Sequence, residues 1–124
     1  MAFIIDTAFD SGLSYLDTNG IRLDINFTSE ATNYTEAVGA KSAGDDTVNT
    51  GAPTDGAVSG RRVIIPAITA GSVTDTQTVD WWALTDASSI LLATGDLSAP
   101  QAVTSGNTFT LDAISITFLD AVNG

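Results

Sequence analysis

The stretch Thr78-Val-Asp-Trp-Trp-Ala-Leu-Thr85 decides how this sequence is read. Successive side chains of a β-strand point to opposite faces, so Trp81 and Trp82 go to opposite sides of one sheet. A strand with a large aromatic on each face is covered on both, which places it at the centre of a sandwich or of a subunit contact. Two more strands follow, Ser89-Ile-Leu-Leu-Ala-Thr94 and Thr108 to Leu119. Asp86–Ser89 joins the first pair at hairpin length, and Gly95 to Asn107 forms the longer second connection. The last strand has a phase fault. Phe109, Leu111 and Ala113 are apolar at odd positions, then Ile114, Ile116 and Phe118 at even ones. Either a bulge near Asp112–Ile114 restores the register, or the strand passes from one sheet or contact surface to another.

Upstream, Ile21, Leu23, Ile25 and Phe27 alternate with Arg22, Asp24 and Asn26, the pattern of a strand with one buried and one wet face. Residues 1–6 suit a short strand. Residues 10–18 suit a helix, with Asp10 as N-cap, Phe9, Leu13 and Leu16 as its apolar stripe, and Gly20 as a left-handed stop. Thr28 to Val38 fits either a helical turn or an extended loop. Gly39 to Gly60 is rich in turn formers and offers only Val48 and Val58 for burial, so it reads as one long loop ordered by a neighbour. Arg61 to Ile68 is a strand whose Pro66 sets it at an edge or ends its pairing. Gly71 to Gln77 reads as a polar turn. The expectation is a single all-β domain over residues 1–124, a sandwich or barrel-like antiparallel sheet with one short N-terminal helix.

Composition narrows the function. In 124 residues, 44% are hydrophobic, which excludes a disordered chain. Fifteen acids face four bases, Arg22, Lys41, Arg61 and Arg62, for a formal net charge of −11. Nucleic acids and anionic membranes need clustered Lys and Arg, so neither is an expected partner. No apolar run reaches membrane-spanning length, and the start Met-Ala-Phe-Ile-Ile-Asp lacks the basic residues of a signal peptide, so a soluble product made in a cytoplasm is expected, free to act elsewhere after lysis or assembly. There is no Cys for disulfides and no His to act as general base or metal ligand.

Candidate chemistry is therefore thin. A Ser or Thr nucleophile needs a base, and Lys41 lies in the Gly-rich loop with no S-x-x-K pattern around it. A carboxylate pair is conceivable, yet Asp45-Asp46, Asp55-Gly56 and Asp86 sit in turn contexts that favour Asp for backbone reasons. Asp45, Asp46, Asn49 and Asp55 carry oxygens suited to calcium, but no EF-hand spacing is present, and no cofactor or metal is expected. Trp81 and Trp82 suit a sugar-stacking platform, with core or interface packing the favoured reading because they lie mid-strand. Arg61 and Arg62, adjacent in an acidic chain, suit pairing with carboxylates. Trp81, Trp82, Arg61, Arg62, Val48 and Val58 are the candidate interface residues; no catalytic residue is proposed.

Trp82-Ala-Leu-Thr-Asp86 and the run Ile90 to Leu111 (Ile-Leu-Leu-Ala-Thr-Gly-Asp-Leu-Ser-Ala-Pro-Gln-Ala-Val-Thr-Ser-Gly-Asn-Thr-Phe-Thr-Leu) resemble small virion proteins of tailed bacteriophages. Leu16 to Ile25, Asn33-Tyr-Thr-Glu-Ala37 and Ser59-Gly-Arg-Arg-Val63 resemble the same proteins. These are fold-type residues, so the resemblance implies a structural virion component and no reaction. It points to a head decoration (cement) protein that binds the major capsid protein as a homotrimer over shell junctions. A tail or fibre component that binds the host surface is the alternative it leaves open. An acidic surface suits an outward position, away from packaged DNA.

Overall fold

The computed structural model describes residues 6–56 and 60–118, with side chains over residues 12–56 and 60–117. The architecture is all-β with one short helix near the N-terminus, as the sequence predicts. Of the strand expected over residues 1–6, Asp6 instead begins the helix; residues 1–5 and the side chains of Phe9 and Val58 lie outside the described residues.

Helix α1 (Asp6–Asn19) starts four residues before the expected cap, so Asp10 falls inside it. Leu13 is its buried anchor. Gly20 closes the helix by donating its N–H to the Leu16 carbonyl at 2.7 Å. Its φ is not positive. Glycine is needed there for space: a Cβ would stand 2.7 Å from that carbonyl and 2.8 Å from Leu84 Cδ2.

The strands are β1 (Arg22–Asn26), β2 (Ser42–Thr47), β3 (Thr54–Asp55), β4 (Arg61–Ile65), β5 (Ile68–Val73), β6 (Gln77–Thr85), β7 (Leu91–Val103), β8 (Thr108–Leu111) and β9 (Ile114–Phe118). They form an antiparallel six-stranded sheet, β7-β6-β1-β2-β5-β8, and a three-stranded sheet, β3-β4-β9. The tryptophan strand β6 is internal, between β7 and β1.

Three expectations are corrected. The supposed loop Gly39–Gly60 contains β2, an interior strand of the large sheet, as well as β3. Its small residues are what the site requires, since a Cβ on Gly44 would run into the Ser72 backbone of β5. Gly71–Gln77 is not all turn, because β5 runs through Val73. Gly95–Asn107 is not a connection, because β7 continues to Val103, carrying Pro100 in an edge strand, where a missing donor is tolerated.

The phase fault is a change of sheet. Ile65 pairs with Ile114, and Ile68 pairs with Leu111. Pro66-Ala67 therefore lies opposite Asp112-Ala113, and the two-stranded ribbon bends there from the small sheet into the large one. Such corners let one pair of strands serve both layers. Pro66 ends the pairing of β4, which is the central strand of its sheet and not an edge. Beyond the corner, Phe109 points inward; before it, Ile114 and Ile116 do. The main core lies between the layers: Leu23, Ile25, Trp82 and Leu84 from the large sheet, Ile65 from the small one, and Phe109. Each such side chain, fully buried, contributes roughly 1.5–3 kcal/mol.

Candidate functional site

Two places concentrate chemistry. The first is the polar face of β1, which the alternation predicts to be wet. It is not. Asp24 and Asn26 are fully buried under the segment around Ala31, Ala37 and Val38. Arg22 donates through Nε to Asp24 Oδ1 at 2.8 Å and through Nη2 to Asp24 Oδ2 at 2.9 Å. Its Nη2 also lies 2.8 Å from Asp45 Oδ2 on β2. The Ser42 hydroxyl donates to Asp24 Oδ2 at 2.7 Å. Burial pushes the Asp24 carboxyl up from its usual range, against the opposing pull of Arg22 and Ser42. Asn26 Nδ2 donates to the carbonyls of Ala37 and Lys41, which pins the π turn Glu36–Ala40 onto β1. The Oδ1 of Asn26 is buried without a hydrogen-bond donor among the described residues.

That turn is itself fixed locally. Glu36 Oε1 accepts from the Thr32 N–H and hydroxyl, both at 2.9 Å, and from Lys41 Nζ at 3.1 Å. These donors pull the Glu36 carboxyl down to about 2, the Thr32 backbone N–H most strongly. At the β6–β7 turn, Asp86 Oδ1 accepts from the N–H groups of Ser88, Ser89 and Ile90, and these bonds lower its pKa. Both are structural uses of carboxylates.

The second place is a cleft of about 530 Å³. One wall is the Asp96–Gln101 part of β7; the other is the ribbon corner, Thr110 to Ile114; Trp82 lies in its floor. Strands β7 and β8 are the two edges of the large sheet. The sheet thus curls until its own edges face one another across this cleft, like a barrel with an open seam. The wall on β7 is a large bulge. Val79 pairs with Gln101 and Trp81 with Asp96, so Asp80 alone stands opposite Leu97-Ser98-Ala99-Pro100. A bulge next to a site commonly re-aims the strand there.

Trp82 is 7% exposed and pairs with Gly95. A Cβ on Gly95 would sit 2.6 Å from Cζ2 and 2.7 Å from Cε2 and Nε1 of the indole. The glycine backbone therefore lies flat against the ring. Leu97, Leu111 and Ile114 are half-buried and pack on the core, whereas Asp96 and Asp112 are exposed at the rim. Among the described residues, no basic side chain lines the cleft.

The structure separates the other candidate residues. Trp81 is half-buried on the opposite face, paired with Asn26 and Asp96. Val48 is buried in the chain's own core, its N–H bonded to the Ile21 carbonyl. Arg61 pairs with Asp55 at 2.6 Å and reaches the Pro53 carbonyl. Arg62 is half-buried on β4, and its Nε meets no acceptor among the described residues. The suggested calcium oxygens are dispersed: Asp45 faces Arg22, Asp46 accepts from the Thr47 N–H, and Asp55 faces Arg61. Among the described residues, no three His, Cys, Asp or Glu side chains gather as a metal site, and no helix is long and apolar enough to cross a membrane. Sequence reasoning missed the seam because one wall, Asp96–Gln101, was read as part of a connection, and the break in the other, near Asp112–Ile114, says nothing of which strand edge it will face; Pro100 beside a run of strand-like residues was the available signal.

Compared with known proteins, the chain matches no family model, no curated protein and no solved structure.

Proposed function

We propose that this chain is a structural virion protein of a tailed bacteriophage, a head decoration protein that docks on the major capsid protein as a homotrimer and strengthens the shell by adhesion. The observation that carries a docking role is the seam, where two strand edges of one sheet face a cleft with an apolar floor and a rim of carboxylates. Unpaired strand edges are templates for pairing with another chain. The virion assignment is supported by the resemblance of the residues quoted above, and the outward position by the net charge of −11. The four bases do not form a patch for nucleic acid: Arg22, Lys41 and Arg61 each engage carboxylates of this chain.

An adhesive protein acts through its bound population, so its effect tracks occupancy. Mass spectrometry of purified particles is expected to find it in hundreds of copies. Particles stripped of it should lose DNA on heating more readily, and added protein should restore retention. Emptied particles that keep their DNA yet fail to adsorb to cells would move the protein to the tail.

That second reading, a tail or fibre component binding host saccharide, is favoured by one observation, Trp82 beside Asp96, Gln101 and Asp112 in one cleft. Against it, the indole is nearly covered and Gly95 lies flat on the ring, so little aromatic surface remains for a sugar to stack on.

A further inference from the structure

We propose that the seam receives an extended segment of a different protein, with apolar and cationic side chains alternating, which pairs with the β8 edge and closes the large sheet. This rests on the docking reading and names the partner's chemistry.

Three observations combine. First, the cleft lies between the two edges of a single sheet, so its walls offer backbone groups on top of side chains. An extended peptide satisfies such groups by adding a strand. Second, the walls differ by level. Leu97, Leu111 and Ile114 are half-buried, while Asp96 and Asp112 are exposed above them. A strand presents alternate residues to opposite faces, so apolar side chains descend as cationic ones meet the rim. Third, the charge argues against a second copy as occupant. The chain carries a formal net charge of −11. Arg22, Lys41 and Arg61 are held by its own carboxylates, and Arg62 sits half-buried on the other sheet. A foreign segment bearing Lys or Arg supplies what this chain does not bring to the cleft.

The test uses the full chain at 12.7 kDa, a size suited to amide mapping by NMR. The probe is a synthetic peptide of about nine residues, an ordinary strand length, alternating lysine and valine. Controls are the same peptide with glutamate for lysine and a neutral gluco-oligosaccharide. The lysine peptide is expected to shift amides in Asp96–Gln101 and Thr110–Ile114 together. Affinity should fall with added salt. It should fall about tenfold in Asp96→Asn/Asp112→Asn, as two exposed ion pairs predict. Both positions are exposed, and an otherwise unchanged amide spectrum verifies that the variant is folded.

Equal binding of the glutamate peptide, shifts that map elsewhere, or no peptide binding each overturn the inference. Oligosaccharide shifts at the same amides without peptide binding overturn it in favour of a sugar site. Particle reattachment keeps the two proposals distinguishable. If Asp96→Asn/Asp112→Asn reattaches as well as wild type, the seam is not the docking site although the virion placement stands. If wild type binds the peptide but no particle, the seam stands and the placement fails.

Discussion

The two faces of β1 are stabilised by opposite means. On one, Leu23 and Ile25 meet Trp82 and Leu84 in a dry core between the sheets. On the other, Arg22, Ser42 and Asp45, all partly exposed, form an ion network around the fully buried Asp24, beside the Ala31–Lys41 segment. Apolar packing is tolerant of which groups touch, provided volume is filled. A buried charge is not, because removing its partner leaves the desolvation uncompensated. One face should therefore fail by losing volume, and the other by losing a single hydrogen-bond partner.

The largest effect is expected on the dry side. Trp82→Ala should destabilise by about 3–5 kcal/mol, the range for truncating a buried Trp or Phe. Chemical denaturation measures this, and a loss below about 0.5 kcal/mol, no more than a surface change gives, would show that the seam side of the core is already loose. On the polar side, Arg22→Met leaves Asp24 buried with only Ser42, and a loss of about 3 kcal/mol is expected. Adding Asp24→Leu should recover much of it, since an apolar replacement of a buried pair is often neutral. If the double variant is no better than the single one, the network does more than satisfy a buried charge. Gly95→Ala probes the contact beneath Trp82. Its Cβ would stand 2.6 Å from the indole, and overpacking of this kind costs about 1–3 kcal/mol. An unchanged melting temperature would mean that the ring moves aside freely.

The same contrast explains what the sequence revealed. The dry face was legible: alternation in Ile21–Phe27 and the paired tryptophans gave β1 and β6, and the phase fault near Asp112 marked the ribbon's change of sheet. The polar face was not. Asp24 and Asn26 alternate as solvent-facing residues do, and nothing local says that Ala31 and Ala37 will cover them. Strand β2, Ser42-Ala-Gly-Asp-Asp-Thr47, has almost no strand propensity, and its neighbours β1 and β5 impose its conformation. Its Asp45 looked like a turn residue or metal ligand and is a partner for Arg22. Of the seam, Trp82 was legible as a key residue, but a cleft made by two strand edges depends on how far the sheet curls, and no local pattern encodes that.

The smallest expected effect separates the buried carboxylate from an exposed one by acid titration. Glu36 is drawn down to about 2 from an ordinary value of 4.5 by Thr32 and Lys41. Its folded form resists protonation, so the unfolded chain binds more protons as pH falls below 4.5. Stability from this group is present above that pH and is lost as pH falls toward 2. Asp86, also lowered, acts in the same direction. Asp24 acts in reverse. Its folded carboxyl is raised above 3.8 by burial, so the folded chain takes up its proton first. Its contribution is favourable below 3.8 and is lost as pH rises through the raised value. Melting temperatures of Glu36→Gln between about pH 5 and pH 2, the range in which carboxylates titrate, should fall less steeply than those of wild type. Those of Asp24→Asn, lower throughout, should fall more steeply, because the compensating proton uptake is gone. Parallel curves for Glu36→Gln and wild type would show that the Thr32 and Lys41 contacts do not hold the carboxylate in solution, and that the turn over β1 is fixed by Asn26 alone.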